Sequence, residues 1–325
     1  YDPATRTFIA RNKVTIPEGR SININGPSQW LIPLIAQNGN VYQGGAGVSS
    51  APRVSWSLPS ATIALILGNI SNILRELINA TPEQRKQMLA NLGLSGLEER
   101  FNKLIADLIA SGRDVAEVFN SIIESLKNLG PDVINCAVSA LYSLLGIAGI
   151  GATKEELAEK AILIDILTGA LNAPVASDGQ LFLSMFAIKT TAKFKGLPLE
   201  GFSNATLNSL MSLGSLPVIA YVRTDPNGPA NHFVVITSIT QDEVVYIDSD
   251  GKEHRERTED FLRDRWTGDM LSKTSPPGGS AIPMPDEAMF NKLGGLNNIG
   301  ILSGFNPSFT FNNFTPSYNA QNLLN

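Results

Sequence analysis

The sequence lacks several features that would place it in a class at once. It holds a single cysteine, Cys136, in 325 residues, so no intramolecular disulfide forms. This excludes a scaffold held by disulfides and fits a reducing compartment, or a secreted protein that does not rely on them. Its formal net charge is −5, with 17% charged residues, which provides no strongly basic surface. We therefore expect no nucleic-acid partner and no polybasic membrane-binding patch.

Long hydrophobic runs are also missing. The most apolar stretch, residues 61–67, is far shorter than the ~20 residues that span a bilayer. No secretory signal follows Tyr1, since a basic start and an apolar core are both absent. We expect a soluble chain whose compartment is unassigned. Because it starts without Met, we expect a processed product or a part of a larger protein, and secretion within that larger protein stays open.

The pattern of apolar residues divides the chain into four zones, which we take as its domain organisation. Residues 1–60 alternate polar and apolar positions between Gly turns and predict a β-rich accessory segment. Residues 61–130 predict a region of three or four short amphipathic helices. In that region Thr81 and Pro82 start a helix, and glycines end helices at Gly93, Gly112 and Gly130. Residues 131–275 form the third zone. Residues 276–325, without charge after Lys292, predict a tail or linker that contacts a partner or parent protein.

The zone from residue 131 to 275 changes from helical to strand-like patterns. Asn135 is typical of a residue that caps a helix, here one over residues 136–145, and Thr153 opens another helix. β-branched apolar runs follow at residues 218–222, 233–239 and 244–247. They predict neighbouring antiparallel strands. Helices followed by strands indicate the α+β fold class.

Cys136 lies at the start of the capped helix. A thiol attacks as its thiolate, and because a free cysteine has a pKa of about 8.5, enzymes use a helix N-terminus or an imidazolium to favour that form. Only His232 and His254 could supply the imidazole. His232 opens one predicted strand and Asp248 ends the next. Because adjacent antiparallel strands bring these two ends together, we expect Asp248 to orient the His232 ring, as in nucleophile–base–orienter triads.

Plainer interpretations of these residues remain open. A lone cysteine is often a small buried core residue. Asp248, Asp250 and Gly251 also suit an ordinary turn, and they lack the spaced acids and terminal Glu of a calcium loop. The sequence contains no Gly-x-x-x-x-Gly-Lys-Ser/Thr phosphate-binding loop. We expect neither a metal nor a cofactor.

Beyond single residues, the chain resembles a known family over residues 130–271. It is similar to the papain-like cysteine peptidases that trim double-glycine leader peptides, the bacteriocin-processing domains of peptide-exporting ABC transporters and their soluble relatives. The matching stretches are residues 135–141, 216–220, 231–236 and 245–248, with residues 259–261 and 266–268 matching the family's closing helix. Without transmembrane helices or a phosphate-binding loop, the chain looks like a soluble relative rather than the transporter.

The resemblance implies a papain-like fold and a cysteine endopeptidase that cleaves a peptide or protein substrate through a thioester acyl-enzyme. Cys136 would be the nucleophile, His232 the general base and acid, and Asp248 the residue that orients the imidazole. The family usually places a Gln six residues before the cysteine, where its amide helps form the oxyanion hole, and this chain has Gly130 there. Asn128 and Asn135 are the candidates to replace that amide.

Loss of an oxyanion donor typically lowers turnover by about 100 to 1,000-fold. The alternative function is therefore a catalytically degenerate papain-like domain that binds peptides without cleaving them. Acyl transfer to an amine, as in transglutaminase-like enzymes, is a further alternative, because it uses the same three residue types in the same order.

Overall fold

The computed structural model describes residues 58–127, 132–133, 135–170, 181–212, 216–276 and 281–294, and the short antiparallel pair β1 (Leu34–Ile35) and β2 (Val41–Tyr42). Most of the predicted β-rich segment, and the chain from residue 295 onward, lie outside these residues. So do Asn128 and Gly130. The domain boundaries drawn from the sequence stay predictions.

Helices fill the region before residue 128. Within residues 58–127 they are α1 (Ser60–Asn79), α2 (Pro82–Asn91), α3 (Glu98–Ala110) and α4 (Val115–Lys127). Thr81 caps α2 through a capping box with Gln84, and Pro82 occupies its first turn. Each helix turns its apolar stripe inward, and Phe101 and Leu126 are fully buried. β3 (Leu58–Pro59) pairs with β4 (Asp132–Val133), so the two ends of the region meet.

A second set of helices leads into the sheet. They are α5 (Cys136–Ile147), α6 (Lys154–Thr168), α7 (Met185–Phe194) and α8 (Leu207–Ser212). Helix α6 is buried almost throughout because it packs against four other helices, α1, α3, α5 and α7. It therefore joins the first helical region to the rest of the domain through one hydrophobic core.

Seven strands of the described chain form one large antiparallel sheet in the order β10-β9-β8-β7-β11-β6-β12. Its members are β6 (Glu200–Ser203), β7 (Val218–Arg223), β8 (Ala230–Ile239), β9 (Glu243–Ile247), β10 (Glu253–Arg257), β11 (Trp266–Ser272) and β12 (Ile282–Pro283). The predicted antiparallel strands are confirmed as β7, β8 and β9. Helix α5 packs on β7 and β8. The α+β fold class predicted from the sequence is confirmed.

The closing helix that the family resemblance predicts is wrong for residues 266–268, which form part of a strand. A short helix, α9 (Thr258–Asp260), continues into one π-helical turn (Phe261–Arg265), but Trp266 begins strand β11. Trp266 pairs with Val222 of β7, and its side chain is buried. This pairing partner lies more than forty residues earlier in the sequence, so the local pattern around Trp266 does not reveal it.

Part of the predicted tail packs on the sheet. Strand β12 pairs with β6, and helix α10 (Asp286–Met289) follows it. The chain then forms β13 (Leu293–Gly294), which pairs with β5 (Leu183–Ser184) just before α7. Residues 281–294 are thus a folded part of the domain rather than a free arm, because their backbone and apolar side chains find partners that lie far away in the sequence. We call this segment, residues 281–294, the returning segment.

Candidate active site

Helix α5 places the cysteine. The side-chain oxygen of Asn135 accepts hydrogen bonds from the backbone N–H groups of Ala137 (2.9 Å) and Val138 (3.1 Å), so the predicted cap is confirmed. Cys136 is the first residue of the helix and is fully buried between α5 and the sheet. Its sulfur therefore lies at the positive end of the helix dipole, away from solvent.

Strands β8 and β9 bring the histidine and the aspartate together. His232 lies near the start of β8 opposite Val222 of β7, and Asp248 follows the last residue of β9. Their side chains meet at 2.7 Å between His232 Nε2 and Asp248 Oδ1. The structure thus brings the two residues together as antiparallel pairing predicts.

The other side of the imidazole faces the thiol. Cys136 and His232 are in side-chain hydrogen-bonding contact. Because Nε2 is bonded to Asp248, the nitrogen that faces the sulfur is Nδ1. Burial by itself lowers the pKa of His232, but the negative charges of Cys136 and Asp248 outweigh it and raise that pKa to about 9. Near neutral pH this imidazole is held in its protonated form beside the sulfur.

Asp248 is held ionised. Burial favours its neutral form, but the hydrogen bond and charge of His232 outweigh burial, and with a hydrogen bond from the Ser249 N–H they hold its pKa well below the usual range. Arg265 adds a more distant cation, with its Nη2 4.0 Å from Asp248 Oδ2. Sequence reasoning missed both of these neighbours. Arg265 carries no sequence signal, because it reaches the site from the π-helical turn before β11.

Of the two oxyanion candidates, the structure describes the Asn135 amide. Its Oδ1 accepts the two capping hydrogen bonds from α5, and this contact sets the direction in which its Nδ2 points. Nδ2 donates to the carbonyl oxygens of Leu181 (2.7 Å) and Gly294 (3.5 Å). The amide therefore points toward the last described residue of the returning segment. Asn128, the second candidate, lies outside the described residues.

Gly294 lies against the sulfur. A Cβ atom built on it would be 2.8 Å from Cys136 Sγ and 2.3 Å from the ring of Phe233. Both separations are shorter than real carbon contacts, so a side chain at this position would collide with the cysteine and the aromatic ring. The backbone of the returning segment therefore covers Cys136 at a distance that glycine alone permits.

The family model described as the Peptidase C39 family matches residues 176–277. This part of the chain is similar to that peptidase family. It contains His232 and Asp248 and begins after Cys136. The chain thus has a cysteine-peptidase fold, and the predicted resemblance to this peptidase family is confirmed.

One solved structure similar to this chain is a double glycine motif protease from an AMS/PCAT transporter in complex with the leader peptide. The match has 18% sequence identity and a TM-score of 0.32, and covers 44% of this chain and 86% of that chain. No curated protein sequence matches the chain.

The second histidine belongs to a separate group. His254 Nε2 lies 3.1 Å from Asp250 Oδ1, and its ring stacks on Tyr246 with centroids 5.5 Å apart. It therefore does not share the Cys136 contact, and His232 is the imidazole of the candidate site.

A second buried carboxylate, Asp165 of α6, lies behind the strand that pairs with the returning segment. It accepts hydrogen bonds from the N–H (2.7 Å) and the hydroxyl (2.5 Å) of Ser184 in β5. Burial raises the pKa of Asp165 to about 7, and the two hydrogen bonds only partly oppose this. Sequence reasoning missed this residue, because an Asp on a helix is usually exposed.

Among the residues that the structure describes, no group of three or more His, Cys, Asp or Glu side chains is arranged to hold a metal ion. None of the helices described is both long enough and apolar enough to cross a bilayer.

Proposed function

We propose that this chain is a cysteine endopeptidase in which Cys136 is the nucleophile, His232 the general base and acid, and Asp248 the residue that orients the imidazole. The observation that carries the proposal is that the buried His232 imidazole interacts with the Cys136 side chain and, through Nε2, lies 2.7 Å from Asp248 Oδ1. Nucleophile, base and orienter each lie within hydrogen-bonding reach of the next, which is the arrangement that activates a weak nucleophile.

The reaction follows from the charges of the three groups. The Cys136 thiolate attacks the carbonyl carbon of a peptide bond, and the carbonyl oxygen becomes an oxyanion. His232, protonated at Nδ1, gives its proton to the leaving amine as the C–N bond breaks. The thioester is then hydrolysed by a water molecule that His232 deprotonates, and the thiolate leaves. Asp248 stabilises the imidazolium in the charged states of this cycle.

The oxyanion needs at least one fixed donor. The backbone N–H of Cys136 is at a helix start, where N–H groups have no partner within the helix. The Asn135 amide is the second donor that we propose, and its Nδ2 donates to the carbonyl oxygen of Gly294, whose Cβ position lies 2.8 Å from the sulfur. Asn128 stays a candidate for an oxyanion donor, and it lies outside the described residues.

The test is a cleavage assay on a peptide library, with products identified by mass spectrometry. The chain is compared with its Cys136→Ala and His232→Ala variants, and His254→Ala is the matched control because this histidine belongs to a separate group. Cleavage by the chain and by His254→Ala alone supports the proposal. A library that stays intact, with peptide binding that survives Cys136→Ala, would support the degenerate peptide-binding domain instead.

A further inference from the structure

We propose that the chain is its own substrate: Cys136 cleaves the peptide bond between Gly294 and Gly295, so that the chain from residue 295 onward is released. The proposal rests on the proposed peptidase function and adds the bond that this site cuts. The family match ends at residue 277, so it does not include the returning segment.

The first argument is the distance to the nucleophile. The position of a Cβ on Gly294 lies 2.8 Å from Cys136 Sγ. A Cβ is one bond, ~1.5 Å, from its Cα, and the carbonyl carbon is one bond further along the backbone. The carbonyl carbon of Gly294 lies about 2.5 Å from that Cβ position, so it is within roughly 5 Å of the sulfur and needs a movement of at most about 2 Å to reach it. Reacting atoms about 3–3.5 Å apart are in near-attack geometry.

The second argument is the carbonyl oxygen. The oxygen of Gly294 accepts a hydrogen bond from Asn135 Nδ2 at 3.5 Å. This is the amide that we propose as an oxyanion donor, and the bond is long, as such bonds are before the transition state. The carbonyl that Asn135 contacts belongs to the peptide bond between Gly294 and Gly295.

The third argument is that the returning segment is held as a substrate strand is held. Leu293 and Gly294 pair antiparallel with Ser184 and Leu183, and the Met185 N–H donates to the Lys292 carbonyl at 2.8 Å. Backbone pairing of this kind is the usual way in which extended peptides are bound.

Side chains fix the same strand in register. The Tyr221 hydroxyl lies 3.0 Å from the Leu293 carbonyl oxygen, and Lys292 Nζ lies 2.6 Å from Asp269 Oδ2. Burial raises the pKa of Tyr221 above its usual range, so the hydroxyl stays protonated; it is shared between the Leu293 carbonyl oxygen and, at 2.6 Å, the Ala230 carbonyl oxygen at the start of β8. At the next residue, Gly294, the ring of Phe233 lies so close to the backbone that there is no room for a larger side chain.

The step balances without a co-reactant other than water. The Cys136 thiolate forms a C–S bond with the Gly294 carbonyl carbon, and the C–N bond to Gly295 breaks. The leaving nitrogen takes the Nδ1 proton of His232 and becomes the amino terminus of the released piece. Water then adds to the thioester, gives one proton to His232, and expels the thiolate. Gly294 is left with a carboxylate.

The experiment follows the intact mass of the purified full chain with time. We expect the unmodified chain and His254→Ala to end at Gly294, and Cys136→Ala and His232→Ala to keep residues 295–325. Tagged Cys136→Ala chain mixed with unmodified chain should be cut at least about tenfold more slowly than the unmodified chain cuts itself, since a tethered bond has a high effective concentration.

A matched pair of glycine variants tests the fit. Gly294→Ala places a methyl group against the sulfur and the Phe233 ring, whereas Gly68→Ala adds a methyl in open space on an exposed face of α1. Overpacking of this size is expected to slow self-cleavage about ten- to a hundredfold in Gly294→Ala. Gly68→Ala should cleave itself at the unmodified rate. Gly294→Ala should also cut library peptides faster per intact chain, because the returning segment no longer fills the site.

The outcomes separate the two proposals. A chain that stays whole while it or Gly294→Ala cuts library peptides overturns self-cleavage and leaves the peptidase function standing. Cleavage at any other bond of the chain also overturns it. If neither the unmodified chain nor Gly294→Ala cuts itself or any library peptide, the peptidase function fails and self-cleavage fails with it.

Discussion

The helices and the sheet of this domain each bury a carboxylate, and the two carboxylates differ in charge. Asp165 in α6 has neutral donors from Ser184, and burial raises its pKa to about 7. Asp248 after β9 is also mostly buried, but contact with His232 holds its pKa well below the usual range. The same residue type is thus held partly neutral on the helix side and ionised on the sheet side. A cation in direct contact decides the difference.

The largest expected effect is a difference in peptidase activity between variants of the two carboxylates. Asp248→Asn removes the charge that supports the imidazolium, and we expect kcat/KM on a peptide substrate to fall by roughly 10²–10⁴-fold. Asp165→Asn keeps an oxygen for the Ser184 N–H and should leave kcat/KM within about twofold, since Asp165 does not touch the triad. Equal losses in the two variants would mean that charge at Asp248 has no special role.

The second expected effect is that Asp165 and Asp248 make the free energy of unfolding depend on pH in opposite directions. The pKa of Asp165 is about 7 in the folded chain, against about 4 in the unfolded chain. Between these values the folded state keeps a proton that the unfolded state releases, so the free energy of unfolding falls as pH rises, by at most about 1.4 kcal/mol per pH unit. Asp248, with its lowered pKa, contributes stability above about pH 4 that is lost as pH falls further.

Urea unfolding between about pH 4 and 7 measures this difference. The slope of stability with pH should be less negative in Asp165→Asn than in the unmodified chain, because the variant has no group at that position to titrate. Identical slopes would show that Asp165 is ionised in the folded chain, like Asp248.

The smallest expected effect concerns the second cation near Asp248. Arg265 lies 4.0 Å from Asp248 and 2.6 Å from Glu256, so it supports the aspartate through a partly exposed network. A partly exposed ion pair contributes about 1 kcal/mol or less, which corresponds to a fivefold change. We expect Arg265→Met to lower kcat/KM by up to about fivefold.

Arg263→Met is the control for this effect. Arg263 is exposed and bonds to Asp260 and Asp264, away from the triad. Its substitution should leave kcat/KM unchanged. Equal losses in Arg263→Met and Arg265→Met would indicate a general effect of charge on the peptide substrate and not support of Asp248.

Much of the site could be predicted because its signals are local. Asn135 caps the helix that begins at Cys136, and the strand run from residue 233 follows His232 directly. The short turn between β8 and β9 then requires Asp248 to lie near His232. Each of these inferences uses neighbours that are close in sequence, where the helix and strand patterns are informative.

The contributions from far along the chain could not be predicted. Ser184 gives Asp165 its partners, Arg265 reaches Asp248 from the π-helical turn, and Trp266 starts a strand where a helix is expected. The returning segment carries Gly294 to Cys136 across more than 150 residues of sequence. No pattern around Gly294 indicates that its backbone contacts a cysteine, since a glycine is equally typical of any turn.

The sequence by itself thus determined the fold class, the helices followed by the antiparallel strands β7, β8 and β9, and the three side chains of the candidate triad. Periodicity and caps act within a few residues, and they specify an element wherever it folds. Only the tertiary structure decided the charge of each buried carboxylate and the identity of the backbone that covers the sulfur. These depend on burial and on contacts between distant segments, because a pKa and a steric fit are set by the atoms within a few ångströms, whatever their place in the chain.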